Sequence, residues 1–171
     1  AYASIGAGSI HHITSEFFKS VAGVDLVHVP YKGGAAAGQA VLTGEVQLVF
    51  LSYTALAQHA RAGKVRLLAI SMTERASALP DVPTFIEAGL PGFVIWSSLG
   101  ALVAAGTPAD IIAKLNAGIA AAAAHPDVAA KMAGFGVKSI AHGTPEQFGQ
   151  VIREEHEKFG RLVRLAGAKM D

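Results

Sequence analysis

The sequence predicts an α/β protein, because short apolar segments of strand character alternate with helical segments along the chain. Residues 65–72 are nearly continuously apolar, which is typical of a parallel strand buried on both faces. Two predicted helices also begin directly after glycine-rich loops. Such strands are joined by right-handed crossovers through the helices. Ligands of these sheets bind at the carboxyl ends of the strands, beside helix N-termini, and we expect the same here.

The first part of the chain predicts strands and helices in strict alternation. A strand ends near Ser4, and Ser9 is a good N-cap for a helix whose apolar face continues until Gly23. Pro30 ends the following strand, because proline has no N–H to donate to a ladder. The other predicted elements here are a strand at 26–29, a helix at 35–42, a strand at 46–50 and a helix at 52–62.

The later part of the chain is predicted to be mainly helical. We expect Thr84 to cap a short helix that ends at Gly89. Residues 93–103 form an extended run that is too long for one ordinary strand and would suit a crossover between two lobes. The remaining predicted elements are a helix with Thr107 as N-cap and Pro108 at its first position, a short helix from Pro126, a strand at 137–140, and an amphipathic helix after a capping box at Thr144.

Composition excludes several classes of function. The chain has 171 residues, which suits one domain or two small ones, and a net charge of +1 argues against a nucleic-acid partner. It has no cysteine, so it has no disulfide, no thiolate zinc site and no cysteine nucleophile. His12 and Glu16 share a helix face, but the other histidines lack ligand spacing, so no metal is predicted.

The segment from Ser4 to His12 is the best local candidate for a binding site. Gly6, Ala7 and Gly8 form a turn that leads through Ser9 into a helix, so N–H groups and hydroxyls gather at the positive end of a helix dipole. Such a site suits a carboxylate. From spacing alone the alternatives remain open: a plain glycine turn with an N-cap serine, and a capping or solvent-facing His12.

The second candidate loop contains Tyr31, Lys32, Gly33 and Gly34. We favour the backbone N–H groups of the two glycines as donors over the lysine side chain, whose alternative role is a solvated surface charge. The tyrosine hydroxyl would suit a carboxylate, with packing at a sheet edge as its alternative. Neither loop carries the G-K-[ST] ending of a P-loop, and no G-x-S-x-G motif or Ser–His–Asp set supports catalysis.

Several motifs resemble one known family. The sequence V-P-Y-K-G-G at 29–34 is similar to the signature of the periplasmic solute-binding proteins of tripartite tricarboxylate transport systems, the Bug or TctC-type family. Four other segments resemble the same family and occur in the same order as in its members. They are the serine–glycine opening at 2–18, A-L-P-D-V-P-T-F-I-E-A-G-L-P-G-F at 78–93, G-T-P at 106–108 and T-P-E-Q-F at 144–148.

The resemblance implies a type II periplasmic-binding-protein-like fold, with two lobes and a ligand cleft between them. Residues 1–94 would be the second lobe, and 95–171 the crossover and the C-terminal part of a first lobe that lacks its N-terminal share. It further implies a non-enzymatic, periplasmic protein without a cofactor. The implied partners are a small carboxylate and membrane permease subunits, and self-association would be possible through the incomplete lobe.

The same resemblance adds two site residues and leaves two other functions open. Leu51 stands where the family often has Asp or Ala, and Ser98 stands where it usually has Trp. Both departures bear on which ligand is bound. The competing readings are an α/β enzyme or domain that binds a phosphate- or nucleotide-containing ligand at the glycine loops, and an isolated interaction domain.

Overall fold

A computed structural model describes residues 1–96, 98, 100–134 and 143–166 of the chain. The chain divides into two compact units: a first unit of Ala1–Trp96 with Phe159–Asp171, and a second unit of Ser97–Lys158. The strand predicted at 137–140 lies outside the described residues. The assignment of 1–94 and 95–171 to two lobes stays a prediction.

A parallel three-stranded sheet forms the centre of the first unit. Its strands are β1 (Tyr2–Ser4), β2 (His28–Pro30) and β3 (Leu48–Val49), in the order β2-β1-β3. Tyr2 is aligned with His28 on one side and with Leu48 on the other. The sheet is parallel and each strand is followed by a helix, so all three helices begin at the carboxyl edge of the sheet.

These helices are α1 (Ile10–Ala22), α2 (Gly34–Leu42) and α3 (Tyr53–Arg61). The cap predictions for α1 are confirmed: the Ser9 hydroxyl accepts the N–H of His12, and Gly23 ends the helix with φ of 65°. Helix α2 buries small residues only, namely Ala37, Gly38 and Ala40. A face without large side chains lets the helix lie close to the sheet.

Two apolar clusters stabilise the first unit. The smaller one joins the sheet to α2 and consists of Ala3, Ala37, Ala40 and Val46. The larger one surrounds Phe93, which is fully buried. Its aromatic rings have centroids 4.4–5.9 Å apart, and they belong to Phe17, Phe18, Phe50, Phe85 and Phe93. The aromatic cluster contributes strongly to the hydrophobic stabilisation of this unit, because phenylalanine side chains bury large apolar areas.

Two predicted elements are wrong. Residues 65–72 form no strand; Ile70 alone pairs with Thr84 in an isolated parallel bridge, and Leu68 is 59% exposed. An apolar run shows that a segment is suited to burial, but whether it pairs depends on a neighbouring strand. Thr84 begins a single turn in place of a helix, with its N–H and hydroxyl both bonded to Glu87.

The second unit contains α4 (Ala109–Ala124), α5 (Pro126–Gly134) and the first part of α6 (Pro145–Ala166). The predicted capping box at Thr144 is confirmed, since Thr144 and Gln147 exchange two hydrogen bonds of 2.8 and 3.3 Å. Thr107 is not the N-cap of α4, because its hydroxyl donates to the carbonyl of Ala104 and Pro108 takes the cap position. Among the described helices, none is both long and apolar enough to cross a membrane.

Phe93→Ala should lower the free energy of unfolding by about 3–5 kcal/mol, because it opens a cavity among four other phenylalanine rings. Leu68→Ala is the control, since Leu68 is largely exposed and should change stability by about 0.5 kcal/mol or less. Urea denaturation followed by circular dichroism measures both. Equal effects of the two substitutions would contradict the placement of Phe93 at the centre of the core.

Candidate functional site

Three helix N-termini open onto the carboxyl edge of the sheet. The first loop, residues 5–9, joins β1 to α1; the second loop, residues 31–33, joins β2 to α2; and residues 50–52 join β3 to α3. Each helix N-terminus carries a partial positive charge and N–H groups without intrahelical acceptors. This edge therefore gathers three partial positive charges and their N–H donors in the first unit.

Internal hydrogen bonds shape the first loop. The N–H of Gly6 donates to Ser4 Oγ at 3.1 Å, and the N–H of Gly8 donates to His12 Nδ1 at 3.1 Å. Ser9 Oγ donates to the carbonyl of Gly6 at 2.7 Å and accepts the N–H of His12 at 3.3 Å. Gly8 has φ of 73°, a left-handed conformation that a side chain disfavours.

These bonds show which residues shape the loop and which N–H groups are left to bind a ligand. Ser4 has no exposed surface and His12 is only 9% exposed, and both accept N–H groups of the loop. The N–H groups of Ile10 and His11 lie in the first turn of α1, where no intrahelical acceptor exists. The backbone of this turn is thus the part of the first loop best suited to meet an anion.

His28 is a residue of this site that sequence reasoning missed. Its Nε2 lies 2.6 Å from Ser4 Oγ, and its ring stacks on that of His12 at 4.1 Å and on that of Tyr2 at 5.0 Å. Burial, with the charge of the neighbouring His12, lowers the pKa of His28. The signal that identifies it is the strand register, which places His28 opposite Tyr2.

A charged pair extends this cluster along α1. Tyr2 Oη donates to Glu16 Oε1 at 2.6 Å, and Lys19 Nζ donates to both Glu16 oxygens at 3.0 and 3.1 Å. Burial and the carboxylate together raise the pKa of Tyr2 far above its ordinary value. Burial also acts to raise the pKa of Glu16, but the hydrogen bonds from Tyr2 and Lys19 prevail and hold it below its ordinary value.

The second loop offers backbone donors with no side-chain competitor. Gly33 is the N-cap of α2 with φ of 100°, and it has no side chain to bond the N–H groups of the first turn. The N–H of Tyr31 donates to the carbonyl of Ser4 at 2.9 Å, which ties the two loops together. The Tyr31 ring packs on the small apolar cluster, where burial and the nearby Glu45 raise its pKa. Lys32 is exposed.

The last two predicted site residues lie in different units. Leu51 packs beside the start of α2, with Cδ2 3.7 Å from the position that a Cβ on Gly34 would take. Ser98 belongs to the second unit, where its N–H and hydroxyl both donate to Glu155 Oε1 at 2.9 Å. Apart from Ser98, the predicted site residues all lie in the first unit. No group of three or more His, Asp or Glu placed to hold a metal ion occurs in the part of the chain that the structure describes.

Comparison with known proteins gives the class of this fold. The R. palustris protein Rpa4515 with adipate superposes with a TM-score of 0.87 at 30% identity, covering 98% of this chain and 56% of that one. MatC (Rpa3494) from Rhodopseudomonas palustris with bound malate superposes with a TM-score of 0.83 at 32% identity, covering 95% and 56%. The fold is that of the periplasmic solute-binding proteins, as predicted.

The family follows from the sequence comparisons. The model of the tripartite tricarboxylate transporter family receptor (TctC) matches residues 1–168. A protein encoded in the tcbD-tcbE intergenic region of Pseudomonas sp. strain P51 is 36% identical over 164 residues, covering 95% of this chain and 48% of that protein. BugT of Bordetella pertussis is 32% identical over 170 residues, covering 99% and 52%. The chain belongs to the tripartite tricarboxylate transporter receptor family, and the resemblance drawn from its motifs is confirmed.

Two further facts describe the relation of this chain to the family. The family is one of solute-binding receptors and not an enzyme family. The chain spans about half the length of each of these four proteins.

The pairing of Glu16 predicts a contribution to stability that acid removes. Because its pKa is held below the ordinary value of about 4.3, unfolding is disfavoured above that pH, and this contribution is lost as the pH falls through the lower, folded value. The acid limb of the stability–pH curve should therefore be shallower in Glu16→Gln than in the original chain. Glu157→Gln, at an exposed position of α6, is the control. Denaturant titrations at a series of acidic pH values measure this, and superimposable acid limbs for all three proteins would refute it.

Proposed function

We propose that the chain forms part of an extracytoplasmic solute-binding receptor that captures a small organic carboxylate for a tripartite tricarboxylate-type secondary transporter. The observation that carries the proposal is the convergence of three helix N-termini on one edge of the β2-β1-β3 sheet. Two of these helices follow loops with left-handed glycines, which let a ligand approach the backbone closely.

A carboxylate suits this edge because its oxygens accept several N–H groups at once. The N–H groups of Gly34, Ala35 and Ala36 open α2 and have no acceptor within the helix, and the Gly33 cap leaves them uncovered. The first turn of α1 offers a second set. The dipoles of both helices favour negative charge at this place, and the exposed Lys32 adds to the positive field.

The ligand class that we propose is a dicarboxylate without an amino group. Adipate and malate are the molecules named with two similar solved structures, and both are dicarboxylates. Leu51 packs at the start of α2, and its side chain has no atom that accepts a hydrogen bond. An ammonium group brought to this place would lose its hydration without a protein acceptor, which costs free energy.

Family membership supports the rest of the proposal. Members serve transport systems as receptors, so the partner that would take the ligand is a membrane permease, and the place of action would be the periplasm. Self-association forms no part of the proposal, since no comparison supports it.

Calorimetry with the purified chain tests the proposed function. Adipate and malate are the probes, with AMP and inorganic phosphate as the competing class. Heat of binding from a dicarboxylate and none from the phosphate compounds supports the proposal. Binding of AMP or phosphate, with no response to either dicarboxylate, would favour the alternative reading of a phosphate- or nucleotide-binding domain.

Gly8→Val should lower the affinity for the bound dicarboxylate at least tenfold, equivalent to about 1.4 kcal/mol, because it places a branched side chain where the ligand approaches the first loop. Gly44→Val is a matched control: Gly44 also has a left-handed φ, 78° against 73° for Gly8, but lies in the turn between α2 and β3. Both variants carry backbone strain, and Gly8→Val alone should lose affinity. Calorimetry measures the affinities, and unchanged binding in a folded Gly8→Val protein would refute the placement of the ligand at the first loop.

Malate should bind at least about tenfold more tightly than aspartate. The two ligands differ only in that malate has a hydroxyl where aspartate has an ammonium group, and Leu51 offers the ammonium group no partner. Leu51→Asp should narrow this difference by supplying a carboxylate acceptor. Leu68→Asp, at an exposed position of the same unit, should leave it unchanged. Competition calorimetry compares the two ligands, and a preference for aspartate in the original chain would show that the role of Leu51 is wrong.

A further inference from the structure

We propose that His28 is a positioning residue of the first loop, which it holds in shape through two separate contacts: a hydrogen bond with Ser4 and a ring stack on His12. The proposal rests on the proposed function in one respect only, namely that the shape of this loop determines carboxylate affinity. His28 lies on β2, outside both glycine loops, and would act on the ligand only through these two residues.

The first contact controls the N–H of Gly6. Ser4 Oγ accepts that N–H at 3.1 Å, and its own hydrogen has two acceptors within reach: His28 Nε2 at 2.6 Å and the carbonyl of Gly6 at 3.2 Å. The shorter distance favours His28. Whichever of the two groups donates, this short contact holds Ser4 Oγ in place, within hydrogen-bond distance of the N–H of Gly6. The imidazole of His28 therefore fixes the rotamer of a serine side chain that has no exposed surface.

The second contact controls the N–H of Gly8. His12 Nδ1 accepts this N–H at 3.1 Å, which requires that Nδ1 carries no proton. The His28 ring lies 4.1 Å from the His12 ring at an interplanar angle of 11°, so it covers one face of His12 and restricts its rotation. Without this stack the His12 ring loses one of the contacts that restrict it.

The surroundings of His28 favour its neutral state. His28 faces Tyr2 of β1, and it faces His12, Glu16 and Lys19 of α1. Burial, His12 and Lys19 lower the pKa of His28 and Glu16 raises it, with a net lowering.

Three substitutions of His28 separate the two contacts. His28→Phe keeps an aromatic ring for the stack but has no nitrogen, His28→Gln keeps a polar group near the Nε2 position but no ring, and His28→Leu keeps neither. His156→Gln, at an exposed position of α6, is the control. Amide hydrogen exchange of Gly6 and Gly8, measured by NMR and compared with the amides of α2, reports on each contact in each variant.

We expect His28→Phe to accelerate exchange at Gly6 and not at Gly8, His28→Gln to do the reverse, and His28→Leu to accelerate both. Each affected amide should exchange about fivefold faster, as for the loss of one hydrogen bond. Uniform loss of protection that includes the α2 amides, or equal changes at both glycines in all three variants, would show a general structural role and overturn the proposal.

Adipate and malate affinities, measured by calorimetry on the same variants, separate this proposal from the proposed function. A weaker affinity in His28→Leu, partly restored in His28→Gln or His28→Phe, is the expected result. If the original chain binds neither dicarboxylate, the proposed function fails while the exchange pattern still decides the role of His28. If binding is unchanged although the exchange pattern is as expected, the link from loop shape to affinity is overturned.

Discussion

The burial of β1 is the constraint on which the rest of the first unit depends. This strand has only three residues, none with exposed surface, and it pairs on both sides. Its two polar side chains have different partners. Tyr2 bonds to Glu16 of α1, and Ser4 bonds to the first loop and to His28. Because buried polar groups must be paired, the position of β1 fixes α1, β2 and the first loop together.

Local backbone chemistry explains why so much of the fold was predictable from the sequence. Ser9, Gly23 and the capping box at Thr144 act on their own neighbours in the chain, and their effects were read correctly. Strand pairing is a contact between distant segments. The apolar run at 65–72 has the composition of a buried strand, but only Ile70 finds a partner, and no property of the run itself indicates this.

In the candidate site, too, local features were predicted from the sequence and contacts between distant segments were not. The glycine loops and the helix N-termini were predicted because a few adjacent residues define them. The pairing of Ser4 with His28 spans 24 residues and arises only when β2 lies beside β1. His12 was a candidate site residue with a capping role as its alternative, and its Nδ1 accepts the N–H of Gly8. Spacing locates a histidine on a helix, but it does not show what its ring contacts.

The buried face of α2, which carries only small residues, restricts which nearby positions can change as such a site evolves. A Cβ at Gly38 would lie 3.2 Å from Leu56 Cδ2, so the Leu56 side chain would have to shift by a few tenths of an ångström, whereas the 3.7 Å to Leu51 is an ordinary contact. At position 51, by contrast, the atoms nearest to α2 are the terminal methyl groups of Leu51, at 3.7 Å from the hypothetical Cβ positions of Gly34 and Gly38. Divergence towards new ligands would therefore proceed more readily through substitutions at 51, a predicted site residue, than at 38, where any side chain must first move Leu56.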